Sequence, residues 1–367
     1  MKILHLIYDH IKNPWVGGGA AIRAHEIYRR LADRHEITVV CGRYPGAENY
    51  REGALVYEFV GTSRDNYVLS TFSYAFRARG FLAAHHTEFD VIVEDFAPYN
   101  PLFSFLQRPD TVIQVHQKEG MQHLKKYFLL GLPFMLAELY YPKLFEHAIT
   151  VSDESLRKFH LGPSAAVISN GFDPQLLTED AHEADYVLFL GRLDVHQKGL
   201  DILAQALKNI ECRLVLAGGG KDEKKVGKLF ERLISEKAVT IAGFVGGRHK
   251  TELLRKCLFM VMPSRYEGQP LTVIEAAACG KPVIVSDIPE LRYAVDAGFG
   301  LSFRTGKAKD LAEKMDVLLG NPSLRHEMGM RAREFAQNFT WDKIAGEYEK
   351  YLLGIVRETT RGRKDDN

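Results

Sequence analysis

Two carboxylates, Glu267 and Glu275, flank a Gly-Gln-Pro turn in "PSRYEGQPLTVIEAAACGKPVIVSD", residues 263–287. Either one suits a helix cap, because Ser264-x-x-Glu267 and Thr272-x-x-Glu275 both match the capping-box spacing. They cannot both cap one helix. Pro270 suits a first helical turn, which leaves Glu267 in the preceding loop and sets Glu275 one to two turns into the helix. The N–H groups of Gln269, Leu271 and Thr272 then lack helical acceptors and suit phosphate oxygens. Carboxylates beside such a site accept hydrogen bonds from sugar hydroxyls. The chemistry that fits both is a nucleoside diphosphate joined to a sugar, with one glutamate on the ribose diol and the other on the transferred sugar.

Two cations follow in "LFLGRLDVHQKGLDIL", where Arg192 ends a strand and Lys198 precedes a helix. A lysine at a helix N-terminus opposes the dipole by about 0.3–1 kcal/mol. A bound diphosphate would reverse that balance, with Arg192 as a fork and Lys198 as a point charge. Two solvated surface charges would read the same way. A third feature is the turn Gly17-Gly18-Gly19, whose helix N-terminus suits an anion, although glycines needed for steric reasons alone also fit. The dinucleotide fingerprint fails there, because Ile22 stands at its third glycine position, and "CGR" at residues 41–43 offers no acid for a ribose. Both facts count against an NAD enzyme.

These residues sit at the ends of short β-rich runs that alternate with helical patterns. "KILHLIY", "EITVVCG", "DVIVE", "TVIQVH", "HAITVS" and "AAVISN" form one series; "YVLFLGR", "RLVLAGGG", "VTIAGFV", "LFMVMPS" and "KPVIVSD" form a second. Apolar strands separated by helices imply parallel sheets covered on both faces. The expected fold class is therefore α/β with two doubly wound Rossmann-like domains, at residues 1–175 and 184–338. The break lies in the polar, acid-rich stretch 171–185. A last helix, 339–357, places Ile344, Tyr348, Tyr351, Leu352 and Ile355 on one face, and the tail beyond it is expected to fray.

At 367 residues, 46% apolar and 26% charged, the chain has the profile of a soluble two-domain protein. Its 48 basic and 47 acidic side chains give no global reason to bind nucleic acid. Four dispersed cysteines form no CxxC pair, which fits reduced thiols in the cytoplasm rather than a disulfide frame or zinc site. The start reads as a buried strand, not a signal peptide. The apolar stretch near residues 127–145 is too short and too interrupted to cross a bilayer. Flanked by Lys125, Lys126 and Lys143, the segment 121–145 could instead lie on a membrane, or form a buried helix pair.

The 263–287 stretch resembles the E-x7-E motif of retaining glycosyltransferases of the GT-B fold, family-4 type. "GGGAA", "GRLDVHQKGLDIL", "ISNGFD" and "FTWDKIAGEYEKYLLGIV" resemble further segments of that family in the same order. The resemblance implies two domains facing a cleft and a final helix that crosses back to the first domain. It implies a donor site of Gly18, Gly19, Arg192, Lys198, Phe244, Val245, Glu267, Gly268, Gln269, Pro270, Leu271, Thr272 and Glu275. Arg192 and Lys198 would stabilise the leaving diphosphate, Glu275 would hold the ribose, and Glu267 would contact the donor sugar. His116, which alone reads as a strand-end hydrogen bonder, would face that sugar. The implied reaction moves a sugar from a nucleotide sugar to an acceptor hydroxyl with retention.

The sequence contains no D-x-D pair, so no metal and no cofactor are expected. The acceptor is left open as a glycan, a lipid-linked precursor or a small molecule. Gln269-Pro270 replaces a commoner Phe-Gly, and "SDIPELR" lacks the usual glycine pair, both near the donor sugar. A nucleotide-sugar epimerase on the same scaffold is the alternative enzyme. A two-lobed solute-binding protein is the non-catalytic one.

Overall fold

The apolar runs of the sequence become parallel strands buried on both faces. The computed structural model describes residues 1–177, 183–208 and 210–365, and the chain divides into two compact units, Met1–Asn170 with Trp341–Asn367, and Gly171–Thr340.

Unit 1 holds an eight-stranded sheet made of β1 (Lys2–Ile7), β2 (Glu36–Gly42), β3 (Tyr50–Glu52), β4 (Leu55–Val60), β5 (Val91–Asp95), β6 (Val112–Val115), β7 (His147–Thr150) and β8 (Ala165–Val167). Their order is β3-β4-β2-β1-β5-β6-β7-β8. All pairs are parallel except β3 with β4. Unit 2 holds β9 (Tyr186–Leu190), β10 (Arg213–Ala217), β11 (Val239–Gly243), β12 (Met260–Met262), β13 (Val283–Ser286) and β14 (Gly300–Phe303), in the order β11-β10-β9-β12-β13-β14. Successive residues of these strands pack into two separate cores. Leu188, Leu190, Met260 and Met262 enter one, and Val187, Phe189 and Val261 enter the other, as a sheet covered on both faces requires.

Both units are doubly wound, as the sequence pattern implies. In each, the strand order reverses beside the first strand, between β1 and β5 and between β9 and β12. Ligands of open α/β sheets bind at carboxyl ends beside such a reversal.

The helix Trp341–Asp365 belongs to unit 1. It buries Ile344, Tyr348, Leu352 and Ile355, and Tyr351 Oη donates to the Ser164 carbonyl at 2.7 Å. The expected fraying of its tail is corrected, since helix continues to Asp365. Thr359 Oγ1 helps to hold it there, lying 3.2 Å from Asp110 Oδ2 and 3.1 Å from the Ile355 carbonyl, either of which can accept its one proton. Residues 178–182 of the expected break, and the side chains of Lys125 and Lys126, lie outside the described residues.

Candidate functional site

In unit 2 the loop after β9 and the loop after β12 are locked together at the reversal. Gly199 has φ +63, and a Cβ there would run into the Pro263 carbonyl. Only glycine suits both the left-handed backbone and the close approach. Arg265 fastens the same loops, donating to both Asp201 oxygens at 2.8 and 2.6 Å and to the His196 carbonyl at 2.8 Å.

This packing brings Lys198 Nζ to 2.5 Å from Glu267 Oε1, with both side chains largely buried. The lysine and the glutamate hold one another in place. Arg192 follows β9 and is exposed. Among the described residues its guanidinium has no hydrogen-bond or ion-pair partner, and its stem passes the "AGGG" turn beside Gly220.

The helix after β12 spans Leu271–Ala278, with Pro270 as its N-cap and no side-chain cap bond. Neither glutamate therefore caps it. Leu271 and Thr272 open the helix, ahead of the Val273 N–H that returns to the Pro270 carbonyl; their N–H groups have no intrahelical acceptor. Val273, Ile274, Ala276, Ala277 and Ala278 are fully buried, so the helix is fixed against the sheet. Glu275 is also buried. Its Oε1 accepts from Lys250 Nζ at 2.6 Å, while its Oε2 is buried with no hydrogen-bond donor among the described residues. A buried carboxylate oxygen of this kind suits a donor such as a hydroxyl. Gly268 and Pro270 are buried within the connecting turn, and Gln269 is half-buried. Of the "GFV" turn after β11, Phe244 is 83% exposed and lies over Gly219, whereas Val245 is in the core.

In unit 1 the corresponding reversal gathers His5 of β1, Asp95 at the end of β5, and His116 just after β6. His116 Nε2 lies 2.9 Å from Asp95 Oδ2, His5 Nε2 lies 3.5 Å from the same oxygen, and Gln114 Nε2 donates to it at 2.7 Å. Burial would raise the Asp95 pKa, but His116 and His5 hold it well below the usual carboxylate range. Burial pushes the His5 pKa down against the pull of Asp95. His116 Nε2 donates to the anionic Asp95, and Nδ1 lies on the other side of the ring. Tyr28 Oη contacts His5 Nδ1 at 2.6 Å and Tyr348 Oη at 3.1 Å, which ties this cluster to the last helix. Glu94 offers a contrast. It is equally buried, yet Leu102, Ser104 and Tyr141 all donate to it, so its role is to hold a loop.

The helix Gly19–Leu31 begins after Gly18, whose N–H donates to Asp9 Oδ2 at 2.9 Å. A carboxylate of the chain thus occupies that amide. Arg192, Lys198, Glu267, Glu275 and the Leu271 helix start all belong to unit 2, where Lys198 pairs with Glu267 and Glu275 with Lys250. His116, Gly18 and Gly19 stand in unit 1. The sequence reading missed Lys250, Asp95 and His5. Asp95 at a strand's carboxyl end was a usable signal, while Lys250 sits on the basic helix Gly247–Lys256 with nothing to mark it.

Residues 17–176 match the family model described as Glycosyltransferase Family 4, and residues 178–335 the model described as Glycosyl transferases group 1. An uncharacterized glycosyltransferase of Methanocaldococcus jannaschii is 34% identical over 195 residues, covering 52% of this chain and 52% of that protein. The chain aligns with about half the length of that relative. Among solved structures, sucrose-phosphate synthase from Thermosynechococcus elongatus has a TM-score of 0.80 at 18% identity, over 96% of this chain and 100% of that one. HepE of Anabaena, in complex with UDP-glucose, has a TM-score of 0.72 at 21% identity, over 96% and 100%. At such identities the two structures are similar in fold.

Proposed function

Since the chain belongs to the group 1 glycosyltransferases of the GT-B fold, we propose that it transfers a hexose from a nucleotide diphosphate sugar to an acceptor hydroxyl, with retention and without a metal. The observation that carries this reading is Glu275, a buried carboxylate with one oxygen held by Lys250 and the other lacking a donor. A ribose hydroxyl is a donor of the required kind. The UDP-glucose held by HepE supports a donor of this class.

The diphosphate lies against the N–H groups of Leu271 and Thr272 and the cations Arg192 and Lys198. As the glycosidic C–O bond to the diphosphate breaks, these groups stabilise the charge that develops on the leaving oxygen. Glu267, positioned by Lys198, accepts from hydroxyls of the donor sugar. His116, with its proton held toward Asp95, offers Nδ1 to a further sugar hydroxyl. The acceptor oxygen bonds to the anomeric carbon on the face the nucleotide leaves, and its proton passes to the departing phosphate oxygen. Atoms and charge then balance without a base from the chain. Phe244, exposed beside the glycine turn, is the proposed platform for the nucleotide base. The acceptor reading that fits residues 121–145 is a lipid-linked or surface-glycan precursor met at the inner face of a membrane by a cytoplasmic enzyme.

A thermal-shift panel of UDP, GDP and ADP sugars in EDTA tests the donor. A ligand at 100 times its Kd stabilises by about 2.7 kcal/mol, and one nucleotide is expected to raise Tm by about 2–4 °C or more. Arg192→Ala should lower kcat about 10²–10³-fold. No stabilisation by any nucleotide sugar, or full turnover without Arg192, would overturn the reading. Donor turnover with no acceptor consumed would indicate an epimerase instead.

A further inference from the structure

Unit 1 turns large apolar side chains outward on two stretches that the transfer chemistry does not use. Helix Tyr67–His85 packs inward through Ser70, Thr71, Tyr74, Ala78 and Leu82. On its other side Val68, Phe72 and Phe76 recur every fourth residue and are 60%, 61% and 75% exposed. The second stretch exposes Met121, Phe128, Leu129, Leu130, Leu136 and Tyr140. The two are linked. One turn beyond Phe76 the Arg79 guanidinium lies 4.8 Å over the Phe103 ring, and Phe103 packs edge-on against Tyr141, which follows helix Leu132–Tyr140.

Two backbone details point the same way. Phe103 and Phe128 have positive φ, +55 and +52, which bulky residues avoid, and both rings reach solvent. A helix on a soluble surface ordinarily carries mixed charge on its outer side. From Asn66 to His85 there is no Asp or Glu.

The charge of these stretches is one-sided. Residues 64–85 and 117–145 together carry seven Lys or Arg against three Asp or Glu, whereas the chain as a whole carries 48 against 47. One of those three acids, Glu138, is buried, where it accepts from the Glu119 and Gly120 N–H groups. Arg64, Arg77, Arg79 and Lys143 are all exposed.

We propose that this face of unit 1 docks on an anionic lipid bilayer. Phe72, Phe76, Phe128, Leu129 and Leu130 enter the boundary between headgroups and acyl chains, and the flanking Arg and Lys side chains meet the headgroup charge. Helix Tyr67–His85 thus extends the contact assigned to residues 121–145. No helix among the described residues is long and apolar enough to cross a membrane, so the contact is peripheral.

Co-sedimentation of the full chain with vesicles tests this, using phosphatidylcholine alone and phosphatidylcholine mixed with phosphatidylglycerol. The chain should pellet with the anionic vesicles, less so at high salt, and remain in solution with the neutral ones. Phe72→Glu with Phe76→Glu should weaken that binding by about tenfold or more. The milder Phe76→Ser should weaken it in the same direction if the double variant folds poorly. The Tm shift given by the nucleotide sugar serves as an independent readout in unit 2. A chain that responds to nucleotide but ignores anionic vesicles overturns the docking surface and leaves the enzyme reading standing. Vesicle binding with no response to any nucleotide does the reverse. Unchanged binding by both Phe variants removes helix Tyr67–His85 from the surface. A concentration-dependent dimer that Phe72→Glu dissociates, without vesicle binding, would make a second copy of the chain the occupant.

Discussion

Asp95 and Lys250 position chemistry that other residues perform. With Asp95→Asn the proton on His116 is no longer held toward an anion, and the ring can turn or change tautomer. We expect kcat to fall about 10–100-fold, with the donor-induced Tm shift retained, as for loss of an interaction that matters in the transition state. An equal loss of donor binding would instead indicate a structural role. Lys250→Ala leaves Glu275 buried without its cation and should weaken donor binding while costing about 1–2 kcal/mol of stability, since Lys250 is partly exposed.

His10 makes a pH prediction. Its Nδ1 accepts from the Lys12 N–H at 3.2 Å, and Tyr44 and Tyr50 hydroxyls lie 2.9 Å from its two ring nitrogens. Burial, with help from Lys12, pushes its pKa down to about 4. The unfolded chain therefore takes up a proton that the folded one refuses. Stability should fall as pH drops from about 6.5 toward about 4, and His10→Gln should flatten that limb in urea titrations. Glu267 and Glu275 were legible in the sequence because they lie eight residues apart in one loop and helix. Their lysine partners come from other segments, which only the folded packing brings near, so the pairing was not legible.

The elements that set the site were mostly legible too, since long Val, Ile and Leu runs specify buried parallel strands. The hairpin β3–β4 was not. β4, "LVYEFV", pairs parallel to β2 on one side and antiparallel to the three-residue β3 on the other, and neither partner is visible in its own pattern. β14 is only four residues long and includes Ser302. Helix Tyr67–His85 escaped notice because apolar residues lie all round it, which blurs helical periodicity. Gly199 shows how one turn can govern an element's placement. Gly199→Ala would cost about 1–2 kcal/mol for the left-handed backbone alone, and more for the contact with Pro263. Separation of the two loops should also part Lys198 from Glu267, so a urea melt and donor binding should weaken together. Loss of stability with donor affinity intact would show that the loops do not depend on this glycine for their register.

At the scale of the molecule, the expected break spanned 171–185 with the first domain ending at 175, whereas unit 2 begins at Gly171 and takes Phe172 and Leu176 into its core. The fate of the last helix rested on resemblance, because its apolar face does not say which unit it covers. In the structure it completes unit 1, with Asp342 on Arg30, Glu349 on His35 and Tyr348 against Tyr28. Arg23 of the same unit donates to the Ser169 carbonyl at 2.6 Å, at the point where the chain leaves. Removing residues 341–367 should uncover Tyr28 and lower the melting temperature of unit 1. The transition of the uninterrupted unit 2 should stay in place, giving two separated steps by calorimetry. A single undivided transition in the truncated chain would contradict independent units.

The discontinuity of unit 1 also bears on how the chain is made. Unit 2 is complete once Thr340 has left the ribosome, whereas unit 1 must wait for the helix Trp341–Asp365. Synthesis runs at roughly 5–20 residues per second, so the first eight strands to emerge stand without their covering helix for on the order of ten seconds or more. The usual order, in which the N-terminal part matures first, is reversed here. During that interval Tyr28 and the sheet edge around β7 and β8 are open to nascent-chain chaperones, and a translational pause placed after residue 340 would prolong their exposure.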